Sequence, residues 1–377
     1  MGIKKVALDL LLKKTPLPPE MQRAVATELD KKLTQIEGKV TKKVVDAISQ
    51  KKPAPGSTPA PGGGKPAPDV DKTAPGGDPA SWTAVSDSTF GDDANNEINA
   101  IAYGKNKFVA VGNGGKMAYS DDGIKWTAVE DSKFGDYSIS DVVYGGNRFV
   151  AVGWSSKFAY SADGVKWVAV DSTLADGAFA IAYGGNRFVA MGRGGEMAYS
   201  TDGASWTAAT NNLFDYIYDI AYGEDRFVAV GEQGKIAYSD DGVKWKAVAD
   251  SKFGESNNTI EGIAYGVAGK AGERFVAVGA GGKMAYSADG AKWTAVSYNP
   301  FDYIYAIAYG GGRFVAVGHC GQMAYSPDGV NWTWAADTSS ENHLHAIAYG
   351  VASNAGNGKA GGRFVTGGAG GCMWYSD

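Results

Sequence analysis

The sequence predicts an all-β chain in which residues 81–377 close into a ring of seven four-stranded sheets. Three observations predict it: one unit repeated seven times, four short apolar runs within each unit, and ends of the repeat region that complete one another. The repeat is marked by Trp82, Trp126, Trp167, Trp206, Trp245, Trp293 and Trp332, at steps of 44, 41, 39, 39, 48 and 39 residues. The unit is therefore constant and the excess lies in loops.

The fourth unit shows the runs plainly: IYDIAYG, RFVAVG, GKIAYS and DDGVKWKAV. They are short, rich in Val, Ile, Tyr, Phe and Ala, and punctuated by Gly, Asn and Asp, which is strand and turn chemistry. IAYG and RFVAVG are apolar at successive positions, as expected for sheets covered on both faces. The region opens with SWTAV at Ser81 to Val85, which corresponds to a fourth strand, and finishes with GCMWYSD, which corresponds to a third. A first strand that completes the last sheet removes the open edge and closes the ring. That radial arrangement is a seven-bladed β-propeller.

Between the third and fourth strands of six units stands Ser-x-Asp-Gly-x-x-Trp, with its carboxylate at Asp122, Asp163, Asp202, Asp241, Asp289 and Asp328. Asp can bond a turn backbone, Gly can take positive φ, and Trp can pack beneath. The motif resembles the Asp-box, or BNR, hairpin of sialidase-like propellers, which also share the radial plan of WD40 and YVTN repeats. The common Asp-box carries one more residue between Asp and Trp. In that family the box is structural and occurs in enzymes, lectins and assembly factors alike, so the resemblance implies fold more than function.

The first eighty residues read differently. Residues 3–14 place Ile3, Val6, Ala7, Leu10 and Leu11 on one helical stripe, and a second helix to about Gln50 carries Met21, Val25, Leu29, Leu33, Ile36, Val40, Val44 and Ile48 on one seam. Residues 1–50 are thus expected to be a helical anchor that self-associates or docks on a larger assembly, since one seam cannot build a core alone. Residues 51–80, rich in Pro, Ala and Gly, are expected to be a flexible tether, leaving 81–377 as the propeller.

Residues 81–377 hold 22 Lys and Arg against 32 Asp and Glu, a net charge of −10, which disfavours nucleic acid as a partner. No run of apolar residues is long enough to span a membrane, and the N-terminus lacks the features of a classical signal peptide, so synthesis in the cytoplasm is expected and the final compartment stays open. The two cysteines, Cys320 and Cys372, fall at non-equivalent points of units six and seven and are not expected to pair. No cofactor fingerprint is present, and none is expected.

Comparing the seven units with one another separates framework from variation. Four positions before the Tyr of IAYG stand Asn99, Ser140, Phe179, Tyr218, Glu261, Tyr305 and His345; two earlier stand Glu97, Ser138, Gly177, Tyr216, Thr259, Tyr303 and His343. A third variable point, after the Gly that ends the second strand, holds Asn113, Trp154, Arg193, Glu232, Ala280, His319 and Ala369. The residues that follow the first position scarcely change. Because strand direction alternates, all three points fall on the face opposite the Asp turns, the usual ligand face of such rings. Free drift of loop tips would also produce variation. The residue types favour recognition, since Tyr, Trp, Phe and Arg make hot spots and sugar-stacking platforms. The candidate ligand residues are Asn99, Asn113, Trp154, Phe179, Arg193, Tyr216, Tyr218, Glu232, Glu261, Tyr303, Tyr305, His319, His343 and His345.

FDYIY occurs twice, at 214–218 and 301–305, and could form two similar subsites or two walls of one cleft, with Phe214 and Phe301 plugging the loop as Phe90, Phe134 and Phe253 would. His319, Cys320, His343 and His345 are the candidate set for an ion such as Zn²⁺, but His-x-His also merely replaces Tyr-x-Tyr, and no metal is expected. The sialidase resemblance implies an arginine triad with a Tyr and Glu pair. Here Arg148, Arg187, Arg226, Arg274, Arg313 and Arg363 share one repeat position on the wrong face, so no catalytic residues are assigned. The expectation is a non-enzymatic module binding a glycan or a protein, displayed from its anchor as in adhesins and tail-associated proteins. An intracellular scaffold or assembly factor is the alternative, and a glycosidase-like enzyme comes third.

Overall fold

A computed structural model of the chain describes residues 81–377 apart from positions 94, 211–212, 214, 255–257, 268–271, 298–300, 336–341, 352–360 and 377. The helical anchor expected at 1–50 and the tether at 51–80 lie outside the described residues. No helix among the described residues is long and apolar enough to cross a membrane.

Seven separate four-stranded antiparallel sheets form. In blade one the strands are Ile98–Gly104, Lys107–Gly112, Met117–Ser120 and Thr127–Ala128, paired in that order. Blades two to six repeat this order. Blade seven contains Leu344–Val351, Gly362–Gly368 and Met373–Ser376, and its fourth strand is Trp82–Ala84 from the start of the domain. The register runs from Trp82 opposite Ser376 to Ala84 opposite Trp374, and the Val85 N–H donates to the Met373 carbonyl at 2.9 Å. The first strand of each blade packs on that of the next, and the seventh packs on the first. The chain is a seven-bladed β-propeller.

The core lies between sheets. Every second strand is buried along nearly its whole length, which is why RFVAVG does not alternate. The blades interlock through IAYG itself. A Cβ on Gly104, Gly145, Gly184, Gly223, Gly266, Gly310 or Gly350 would overlap the ring of Tyr144, Tyr183, Tyr222, Tyr265, Tyr309, Tyr349 or Tyr103 respectively, so the missing side chain of one blade is the seat of the next blade's Tyr. The last of these pairs joins blade seven to blade one. Phe90, Phe134, Phe253 and Phe301 are buried loop plugs, with Leu174 in the same role in blade three. Phe214 lies outside the described residues, and in blade four the neighbouring Leu213 packs on the core.

At one rim the Ser-x-Asp-Gly turns repeat a single bonding scheme. In the first, Asp122 Oδ1 accepts the N–H groups of Ile124 and Lys125, each at 2.8 Å, and the Ser120 hydroxyl at 3.0 Å. The Gly123 N–H donates to Ser120 Oγ at 2.8 Å, and Trp126 lies buried below the turn with its indole N–H on the Gly123 carbonyl at 3.3 Å. Such donors favour the ionised carboxylate. The N–H groups of Ser205 and Ala204 pull the Asp202 carboxyl down to about 2.

The repeat arginines serve this rim. Arg226 Nη1 donates to the Asp289 carbonyl of the next blade's turn at 2.6 Å, and Arg187 does the same to Asp241. Each of the six arginines also lies over the third-strand Tyr of its own blade, as Arg226 does over Tyr238 at 5.0 Å. Arg187 and Arg226 thus tie neighbouring blades together.

Candidate functional site

The opposite rim gathers the three variable positions, and a backbone irregularity explains how. In every blade the register shifts near the start of the first strand: Ile98 faces Gly112 and Ala100 faces Val111, leaving Asn99 as the extra residue of a bulge. The same shift leaves Ser140, Phe179, Tyr218, Glu261, Tyr305 and His345 unpaired in the other six. A bulge re-aims a side chain without breaking the sheet. All seven line one cavity at the mouth of the central channel.

The second and third variable positions are joined by main-chain bonds. Asn113 N–H donates to Glu97 O, Trp154 to Ser138, Glu232 to Tyr216, Ala280 to Thr259, His319 to Tyr303 and Ala369 to His343, all between 2.9 and 3.2 Å. The convergence expected from the sequence is therefore present. The side chains divide into two lobes.

The first lobe spans blades one to four. Trp154 is 53 % exposed and meets Phe179 edge-on at 5.4 Å between ring centroids. Phe179 stacks with Tyr216 at 6.2 Å, and the Arg193 guanidinium lies 5.3 Å over the Tyr216 ring. Two cavities share these rings: one reaches Glu97, Asn99, Asn113 and Tyr218, the other Tyr137, Asp176 and Arg193. Asn113 donates to Glu97 Oε2 at 3.1 Å, and Asn99 donates to the Ile139 carbonyl of blade two at 2.8 Å. These bonds fix the polar wall, while the aromatic wall stays open to solvent.

The second lobe belongs to blades five to seven. Tyr303 donates to Glu261 Oε1 at 2.5 Å, and the Thr259 hydroxyl donates to the same oxygen at 2.6 Å. Burial, followed by the Glu261 bond, raises the Tyr303 phenol further from ionisation. Tyr305 packs on Tyr303 at 4.7 Å and on His345 at 4.6 Å, while His319 and His343 stack at 4.4 Å. Desolvation, reinforced by His319, lowers the pKa of His343, and desolvation lowers that of His345, so the surroundings disfavour the charged form of both rings.

The two FDYIY segments thus differ in surroundings. Tyr216 lies under an arginine beside exposed aromatics, whereas Tyr303 is bonded into a carboxylate and threonine set. The two segments therefore differ in their partners, which the adjoining blades contribute, while Tyr218 and Tyr305 both line the channel cavity. Glu232 is also occupied locally: its carboxylate accepts the Asp215 N–H at 3.1 Å and faces Lys235 at 3.9 Å. Of the candidate ion ligands, donor atoms of His319, Cys320 and His343 lie within 4.8 Å of one another, and His345 stands apart. Cys320 and Cys372 are both free thiols.

One sequence expectation is corrected. The position after the bulge was read as nearly constant, yet it holds Asp141 and Asp219 where other blades have Ala or Gly, and both line the channel. Asp141 accepts the Ile181 N–H of blade three and Asp219 the Ile263 N–H of blade five, each at 2.8 Å. Protein encloses both carboxyls at the channel wall. That desolvation pushes Asp141 up to about 8, with the Asp219 charge adding to it, and Asp219 up to about 7. The signal was two acids in a column of small residues.

No family model matches the sequence, and no curated protein sequence matches it. Solved structures do. The chain is similar to YCF48 bound to D1 peptide, at 19 % identity and a TM-score of 0.59 over 81 % of this chain and 99 % of that one. It is similar to YCF48 from Cyanidioschyzon merolae at 17 % identity and 0.58, over 79 % and 98 %. Catalytically inactive virginiamycin B lyase from Staphylococcus aureus with quinupristin follows at 11 % identity and 0.63, over 79 % and 99 %. At these identities the likeness is one of fold.

Proposed function

We propose that the chain is a non-enzymatic binding module whose variable rim takes an exposed segment of a partner protein. The carrying observation is the aromatic lobe of Trp154, Phe179 and Tyr216 with a cavity on either side, which offers a seat for an apolar or aromatic anchor. Trp154 meets Phe179 at its edge and leaves more than half of its surface open to a ligand. Similarity to a propeller bound to a peptide supports a polypeptide ligand. This reading gives weight to an assembly factor or scaffold.

A glycan is the second reading, favoured by Asn99, Asn113 and Glu97 beside the same rings, since sugars stack on aromatic faces and bond carboxamides and carboxylates. In that case residues 1–50 would serve as an oligomerising anchor and 51–80 as a tether, turning weak sites into avidity. The six Ser-x-Asp-Gly turns are read as Asp-box turns with a structural role. Hydrolysis or elimination is the least supported function: Tyr303 and Glu261 are bonded to one another, but the repeated arginines of the second strands serve the opposite rim.

Peptide and glycan arrays probed with the full chain test the assignment. Peptide binding lost in Trp154→Ala and kept in Asp241→Ala is the expected result. Glycan binding with that mutational pattern would select the second reading, and binding insensitive to Trp154→Ala and Tyr218→Ala would refute both.

A further inference from the structure

Blades six and seven bring together a donor set found nowhere else among the described residues. All three histidines of the chain stand there, and two of them join the thiol of Cys320. Cys320 Sγ lies 3.8 Å from His319 Nε2, and the three donor groups fit within 4.8 Å. Tetrahedral zinc with Zn–S of about 2.3 Å and Zn–N of about 2.0 Å needs S to N separations of about 3.6 Å, so one pair is nearly in place and the others must close by about 1 Å. Each residue is only partly buried, which leaves room for that adjustment.

Cys320 has φ of 49°, the left-handed region, at the turn position where blades one, three, five and seven place Gly114, Gly194, Gly281 and Gly370, and where Ser155 and Gln233 of blades two and four also take positive φ. The turn therefore accepts a side chain, and in blade six that side chain is a thiol. The Cys320 N–H donates to His343 Nδ1 at 3.2 Å, so that nitrogen presents its lone pair to the turn, and a metal bond at Nδ1 replaces this hydrogen bond.

We propose that His319, Cys320 and His343 bind one Zn²⁺ ion on the variable rim, with the fourth vertex open to water or to a donor from the ligand. Binding releases the thiol proton to solvent and forms one Zn–S and two Zn–N bonds with no change of oxidation state. The ion stitches the second-to-third strand turn of blade six to the entry of blade seven, beside Tyr305, whose ring lies 5.7 Å from that of His343. Two nitrogens and one thiolate suit zinc over magnesium or calcium.

The test uses the full chain, stripped of metal and kept reduced, titrated with Co²⁺ and then with Zn²⁺ against a chromophoric chelator. One Co²⁺ per chain with a thiolate-to-cobalt charge-transfer band, displaced by Zn²⁺, is expected. Cys320→Gly restores the residue that four other blades carry, so its metal-free unfolding curve should match or exceed the parent's. It should lose the band, and it and His343→Ala should each lose about 100-fold or more in Zn²⁺ affinity. Cys372→Ser should change neither. Absence of the charge-transfer band in the parent, or Zn²⁺ affinity unaltered in Cys320→Gly and His343→Ala, would overturn the assignment. If Cys320→Gly fails to fold, His319→Asn, which carries the residue of blade one, answers the same question.

Discussion

The two rims of the ring were built from the same seven-fold repeat and have diverged in opposite ways. At the Asp rim six turns keep one bonding scheme, each carboxylate on two backbone N–H groups and a serine, with arginines reaching across to the next blade. At the other rim the backbone is just as regular, with a bulge in every first strand, but the seven side chains on that bulge are of six kinds, Tyr alone recurring. A framework that spends its regularity on backbone geometry leaves side chains at the re-aimed positions at liberty to vary. Constant turns hold the ring, and varied bulges line the channel mouth.

Changes to the framework should cost most. Gly223→Ala drives a methyl into the Tyr265 ring and should lower unfolding stability by about 3 kcal/mol, read by urea denaturation. Val85→Pro removes the N–H that bonds Met373 across the closing seam and should cost about 2 kcal/mol, with the loss visible in the same assay. If either is neutral, the interlocked closed ring is wrong.

The recognition rim should behave conversely. Trp154→Ala should weaken ligand binding by about 2 kcal/mol while leaving the unfolding midpoint nearly unchanged, because more than half of the side chain is already exposed. A large fall in stability would assign Trp154 to packing.

To changes of pH the two regions should answer with opposite signs. The Asp202 carboxyl, held down at about 2, contributes stability that is complete above the unfolded value near 3.9 and is lost as pH falls toward 2. Asp141 and Asp219, pushed up to about 8 and about 7, favour the protonated folded state, so their contribution declines as pH rises from about 4 through those values. Thermal unfolding should therefore peak in mildly acidic buffer. Asp219→Ala should make the decline above the maximum shallower, Asp141 still contributing, and leave the acid limb unchanged.

Much of this was legible from the chain. Trp spacing and the unmatched end strands define the blades, and comparison of the seven units picks out Asn99, Tyr218, His345 and their counterparts as variable. Their gathering follows from strand direction. Which of them are committed to internal partners could not be read, because Tyr303 and Glu261 come from adjacent blades and are 42 residues apart. Likewise, the two FDYIY segments look interchangeable until the neighbouring loops are in place. The roles of Asp141 and Asp219 depend on the bulge, which leaves no sequence mark of its own.

The seam in blade seven sets an order of events. Trp82–Ala84 leaves the ribosome before every other strand of the ring and pairs with Met373–Ser376, the last to emerge. Until the final strand arrives, the growing arc keeps two raw edges that could join a neighbouring chain, so swapped dimers are the characteristic hazard of this architecture. Moving the clasp to another inter-blade loop by circular permutation would change which strands must wait, and leave the finished wheel the same.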